Sequence, residues 1–336
     1  QVDEVTNSDT DRMSKGDEIS WQTKLLRSHK KNQLVDYIIL AEFDIDTGST
    51  VRHQYPTNIP GYKVDWFAEF MLPEGAHNRD LDFNFIFLNR DAPHADQHLW
   101  SKFEKYTPPA LPEAGTIVTE DKNLLYGINL VKTRHDSSVR RGAIVKAMCL
   151  FSQFQFVDIL KKPLELALDR YFDNPSVDVL ASLFESLNAI DMAALPRPDL
   201  MEQALMRRGV THEGLTEHSK YHVPMGWYHT LFGYFDRIEI PLRIPLFRTP
   251  DEVGEINISL LVKTFGEQVM RIFHAVLTKQ RVLFVGYNHA ASEVAQMVLS
   301  TVAMVAPPMS NLIRRTFPYS NLSDLSFLEV SLLAEL

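Results

Sequence analysis

The chain has 336 residues, of which 45% are hydrophobic and 23% charged. That is an ordinary globular composition, long enough for two domains or one large one. A net charge of −9 argues against a general nucleic-acid binder, because counterion release requires a basic surface.

Residues 1–33 are rich in Asp, Ser, Thr, Lys and Asn and are expected to form a polar, disordered arm. Within it Trp21, Leu25 and Leu26 share one helical face. From Tyr37 to Phe43 runs a nearly continuous apolar segment of strand length. The Asp46-Thr47-Gly48-Ser49 turn then returns the chain as a second strand over Thr50 to Tyr55. Further strands are expected at Phe83 to Leu88, Leu124 to Lys132 and Ala143 to Phe151, with a charged, Pro-rich surface loop over 89–122. Phe43, Ile86, Ile128 and Val145 are expected to share the core of one sheet. Pro163 opens a helix, as proline is tolerated in the first turn, and Val177, Leu180, Phe184, Leu187 and Ile190 recur at helical spacing.

Strands followed by helices packing on one sheet define an α/β lobe over 34–190. Prolines at 196, 198, 224, 241, 245 and 250 break the rhythm, so 191–255 reads as an inter-lobe connector, with short strands around Arg237 to Ile240. A second α/β lobe is expected over 256–336. In it, Val262, Phe265, Val269, Ile272, Phe273 and Val276 form a helical face, Arg281 to Gly286 a short buried strand, and Ser292 to Met304 a further helix. Apolar residues at successive strand positions need cover on both faces.

The usual catalytic patterns are missing. No G-x-x-x-x-G-K-[ST] loop, G-x-G-x-x-G turn or G-x-S-x-G elbow occurs, so no cofactor is expected. His94, Asp96 and His98 have a spacing that could ligate zinc, but a proline precedes them and no fourth ligand follows, so an exposed loop is favoured and no metal is expected. His212, Glu213 and His218 miss the H-E-x-x-H spacing. Cys149, the single cysteine, lies among apolar neighbours and reads as a core thiol in a reducing compartment. Lys161-Lys162 and Arg314-Arg315 are basic pairs that could meet a phospholipid or an acidic partner, with ordinary solvated charge favoured. Arg140-Arg141-Gly142 ends a polar turn just before the Ala143 strand.

No run approaches the roughly 20 apolar residues of a membrane-spanning helix, and the polar N-terminus lacks the apolar core of a signal peptide. A cytoplasmic protein with, at most, peripheral membrane contact is expected. The chain opens on Gln1 and closes on the apolar Ser331 to Leu336, so both ends are expected to be cut.

Several segments resemble DENN-domain proteins, regulators of membrane traffic that bind small GTPases. The hairpin from Val35 resembles the opening of the longin-like upstream lobe. Leu72-Pro73-Glu74-Gly75-Ala76-His77 followed by Asp82 to Phe87 is similar to the Avl-type branch. Ala41-Glu42-Phe43-Asp44 with His53-Gln54-Tyr55-Pro56 is similar to fungal mesA-type docking-domain proteins, which engage an Arf-class GTPase. Leu125-Tyr126-Gly127-Ile128 and Arg141 through Lys146 are similar to the LCHN-type branch, and the Val282 to Gly286 strand between two helices resembles the central DENN lobe.

The resemblance implies a two-lobed DENN module that docks a Rab- or Arf-family GTPase and promotes guanine nucleotide exchange. Exchange requires only that the switch segments be held away from nucleotide and Mg²⁺, so no catalytic side chain is implied. A second implication comes from folliculin-like longin-DENN proteins, in which an arginine before the equivalent strand acts as an arginine finger; Arg141 is the matching residue, with chemistry suited to γ-phosphate charge. A third is a non-catalytic docking scaffold, as the mesA-type similarity implies.

Overall fold

The computed structural model describes residues 33–44, 46–89, 124–135, 143–192, 195, 227–234, 238–246, 252–306 and 312–320. The polar arm, the 89–122 loop beyond Asn89 and the histidine-rich part of the connector lie outside the described residues. An α/β architecture is present, built on an antiparallel sheet with flanking helices.

Five strands form the sheet: β1 (Tyr37–Asp44), β2 (Gly48–Tyr55), β3 (Leu81–Asn89), β4 (Leu124–His135) and β5 (Ala143–Ser152), in the order β2-β1-β5-β4-β3. All neighbours are antiparallel. The expected hairpin is thus β1 and β2, and its turn has a physical cause. Asp44 Oδ1 accepts from the backbone N–H groups of Asp46 (2.8 Å) and Thr47 (3.1 Å), and Gly48 takes the left-handed φ of 75°. These two donors hold the Asp44 carboxyl below its usual range.

Both faces of the sheet are covered, which explains the unbroken burial of Tyr37 to Ala41. Helix α1 (Val64–Met71) lays Phe67, Phe70 and Met71 over Ile39, Ala41, Val145 and Phe151. Helices α2 (Lys161–Asp173) and α3 (Val177–Asn188) cover Ile38, Leu40, Ile128 and Leu150 on the other face. Ile86, Ile128 and Val145 are buried and Phe43 is partly so, all within one sheet. Buried residues of α2 fall at Pro163, Leu164, Ala167, Leu168 and Tyr171, one face of the helix. Ser176 caps α3, its hydroxyl accepting from Asp178 N–H.

Two buried asparagines seat α1. Asn84 and Asn129 lie opposite each other on β3 and β4, and their Nδ2 groups donate to the carbonyls of Phe70 (3.0 Å) and Met71 (2.8 Å). These are carbonyls that a helix C-terminus leaves without intrahelical partners. At Gly127 of β4 there is no room for a side chain, since a Cβ would stand 2.5 Å from the Phe151 ring and 2.7 Å from the Ile86 carbonyl oxygen.

Within the expected connector, β6 (Trp227–Tyr234) pairs antiparallel with β7 (Ile238–Pro245), and Phe232, Tyr234, Leu242 and Ile244 enter the main core. Beyond it come α4 (Ile258–Phe265), α5 (Val269–Leu277) and α6 (Ala291–Val305). Helix α6 lies against β3 with Ala295 and Leu299 in the main core. The single helical face expected over Val262 to Val276 is interrupted at Gly266, whose φ is 54°, and only Leu261 and Val269 of α4 and α5 are buried. The expected buried strand at 281–286 is not one here. These residues sit in no ladder, and Leu283 and Val285 are 59% and 75% exposed. An apolar run signals a need for cover, and among the described residues nothing supplies it.

Candidate docking surface

β2 ends the sheet on one side and therefore carries an outer edge of backbone groups not used by β1. Its register against β1 slips between Leu40 and Ala41: His53 pairs with Leu40 and Val51 with Ala41, leaving Arg52 as the extra residue of a bulge. Bulges re-aim side chains, and Arg52 is sent outward, 46% exposed at its side chain, with Nε 3.2 Å from Glu42 Oε2. Glu42 also receives Lys146 Nζ at 2.6 Å. Lys146 is buried, its ammonium 4.7 Å from the centroid of the Tyr171 ring. Burial, followed by the Glu42 charge, pushes the Tyr171 hydroxyl up from its ordinary value.

On the α1 face of this edge, Phe43, Val51, Tyr62 and Trp66 are partly buried against the inner cluster. Trp66 is held by its neighbours, 4.3 Å from Phe70, 5.1 Å from Phe67 and 5.5 Å from Tyr62 between ring centroids. Lys63, Asp65 and Glu69 stand exposed around it. A fixed aromatic with a polar rim is the composition of a protein-binding patch, because a rigid ring contributes area at low entropic cost.

The end of the sheet beside the β1–β2 turn is ion-paired. Lys132 and Arg134 of β4 meet Asp169 at 2.7 and 3.1 Å, and Arg134 reaches Asp173 at 2.6 Å. Burial works against the Asp169 charge, but hydrogen bonds from Lys132 and Arg134 hold the carboxyl below its usual range.

Arg141 lies outside the described residues, in the connection between His135, which ends β4, and Ala143, which begins β5. His94, Asp96, His98, His212, Glu213 and His218 also fall outside them. Among the described residues no group of three or more metal-ligating side chains occurs, and no helix is long and apolar enough to cross a membrane. Cys149 is fully buried, and that burial pushes its thiol well up. Lys161 is paired with Glu255 (2.7 Å) and Lys162 with Glu165 (3.1 Å). Arg314 and Arg315 end a short 3-10 turn, Leu312–Arg315.

The bulge at Arg52 and the Glu42–Lys146 pair are features that sequence reasoning missed. Trp66 had a signal, the spacing of Trp66, Phe67 and Phe70 along one helical turn and the next.

Residues 37–109 match a family described as the docking domain of Afi1 for Arf3 in vesicle trafficking. That span holds β1, β2, α1 and β3, including every residue of the aromatic shoulder. Residues 257–332, which contain α4 to α6, match a family described as stabilisation of polarity axis. Over 342 aligned positions the chain is 25% identical to an AFI1-like protein of Schizosaccharomyces pombe, covering 88% of this chain and 54% of that protein. It is 24% identical over 231 positions to ARF3-interacting protein 1 of Saccharomyces cerevisiae, covering 48% of this chain and 25% of that protein. The chain thus spans about half the length of the first relative and a quarter of the second.

Proposed function

We propose that this chain docks an Arf-family small GTPase through the β2 edge and the α1 shoulder, as a non-catalytic module of vesicle trafficking and cell polarity. The observation carrying this reading is that the match to an Arf3-docking domain falls on the segment that builds the partly buried Trp66 patch. The geometry is suited to docking. Phe43, Val51, Tyr62 and Trp66 supply apolar contact, Arg52, Asp65 and Glu69 supply a charged rim, and the strand edge offers backbone groups. The module would work in the cytoplasm, with at most peripheral contact with a membrane.

In a binding assay against Arf-family GTPases loaded with a GTP analogue, Trp66→Ala and Arg52→Glu should weaken binding by about thirtyfold or more, the range of an interface hot spot. Both variants should remain folded by circular dichroism. Undiminished binding by both would move the site elsewhere.

The sequence resemblance to DENN modules supports a second reading, guanine nucleotide exchange on a Rab- or Arf-family partner, which calls for no reacting side chain. The resemblance also supports an activating reading with Arg141 as arginine finger. There Arg141→Ala should cut stimulated GTP hydrolysis by on the order of a thousandfold with binding retained, and Arg141→Lys should be nearly as poor, because a point charge does not reproduce the guanidinium fork. Unchanged hydrolysis in both variants ends the activating reading.

A further inference from the structure

Three small polar side chains stand in one row across the sheet, beneath the C-terminal end of α1. Asn84 of β3 is the register partner of Asn129 on β4, and Asn129 is in turn the partner of Cys149 on β5. Directly opposed residues of a sheet point to the same face. Here it is the α1 face, since Ile86 and Leu88 of β3, Leu125 and Val131 of β4, and Ala147 and Phe151 of β5, each an even number of positions away, pack with Phe67, Phe70 and Met71. Asn84, Asn129 and Cys149 are all 0% exposed. Polar groups in such a layer are costly unless each finds a partner.

The two amides use their donors and leave their acceptors over. Asn84 Nδ2 donates to the Phe70 carbonyl and Asn129 Nδ2 to the Met71 carbonyl, at 3.0 and 2.8 Å. Those bonds fix the orientation of both side chains, because turning either amide over would set its oxygen against a carbonyl oxygen. The buried Oδ1 atoms of Asn84 and Asn129 then have no hydrogen-bond donor among the described residues. What would satisfy them must be small, must donate twice and must be neutral. The row itself carries no charge to hold an ion: burial keeps the Cys149 thiol protonated, and Asp82, two residues along β3, is taken up by the N–H groups of Phe83, Ala291 and Ser292. Water meets all three conditions, and internal waters bind where otherwise unsatisfied polar groups converge.

We propose that this row is the binding site of an internal water molecule, which donates one hydrogen bond to Asn84 Oδ1 and the other to Asn129 Oδ1. Each amide is then held at both ends, by an α1 carbonyl through its nitrogen and by the water through its oxygen. The site fastens the last turn of α1 to β3 and β4. Trp66 lies one turn earlier on that helix, with its ring 4.3 Å from Phe70. Asn84 and Asn129 are therefore positioning residues for the aromatic shoulder, a consequence that rests on the docking reading, whereas the water site does not.

The natural chain carries the first test. In water-selective NOE spectra, with exchange separated by rotating-frame spectra, the side-chain amide protons of Asn84 and Asn129 should show cross-peaks to water with the sign of a tightly held molecule. Oxygen-17 relaxation dispersion should then find fewer long-lived waters in the double variant Asn84→Leu, Asn129→Leu, which lacks both acceptors. If that variant does not fold, the spectra of the natural chain decide alone. In the folded variant the Trp66 indole resonance should shift, and binding of an Arf-family GTPase should fall by about tenfold, as for a moderate interface contribution. Water cross-peaks in a natural chain that binds no such GTPase would uphold the water site and remove the docking reading instead. Absence of water cross-peaks at both asparagines would overturn the proposal. A signal that depends on added sodium or potassium would assign the site to a cation, and a cross-peak from the Cys149 thiol proton in place of water would make the thiol the donor; either overturns it.

Discussion

Asp82 fixes the position of a helix 209 residues further along the chain. Helix α6 begins at Ala291 after Ala290 and has no side-chain cap of its own, and the buried Asp82 carboxylate of β3 accepts its first two available N–H groups. Asp82→Ala should destabilise the protein by about 1–2 kcal/mol, the range of a lost cap, with faster hydrogen exchange in α6 than in β1; Asp82→Asn, which keeps an acceptor, should recover part of the loss. Equal stability in all three proteins would show that the cap is idle. A second carboxylate supplies a pH dependence. Asp169 is held below its ordinary value of 3.8 by Lys132 and Arg134, so its contribution is complete above that value and is lost as pH falls through the lower folded value. Denaturation midpoints should therefore decline more between pH 4 and pH 2 in the natural protein than in Asp169→Asn; parallel declines would contradict the assignment. Neither role was legible in the sequence, because both depend on which residues tertiary packing brings together.

Strands and helices were legible where a pattern was strong and its cover came from nearby chain. Tyr37 to Phe43 and Ala143 to Phe151 read as strands from their apolar runs, and Asp46 to Ser49 as a turn from its residue types. The β6–β7 hairpin was obscured by Pro241 and Pro245, which argue against a central strand but are tolerated in a two-stranded sheet. The alternation of β6, outward at Leu231 and Gly233 and inward at Phe232 and Tyr234, was there to be read. Phe232→Ala should cost about 3–5 kcal/mol, as for a buried aromatic, and should lower a single unfolding transition shared with the main core. An unchanged main transition would make the hairpin an independent unit. At 281–286 the apolar run expresses a demand for burial that no neighbouring element among the described residues meets, since such a run does not specify what covers it.

Among the described residues, an antiparallel α/β unit presents an aromatic-lined sheet edge, and a helical group carries an apolar face. Short segments of the sequence are similar to GTPase regulators, and the matched span of 37–109 coincides with the edge that the fold exposes. The sequence did not carry the mode of action, because docking, exchange and activation differ first in which state of the partner is favoured. A ligand shifts an equilibrium only by its differential affinity for the states. The most direct measurement is therefore binding of an Arf-family GTPase in its nucleotide-free, GDP and GTP-analogue forms, with release of labelled nucleotide followed in the same samples. A docking module predicts preference for the GTP-analogue form, loss of that binding with Trp66→Ala, and nucleotide release unchanged by the protein. Tightest binding to the nucleotide-free form with accelerated release, or no binding in any state, would contradict it.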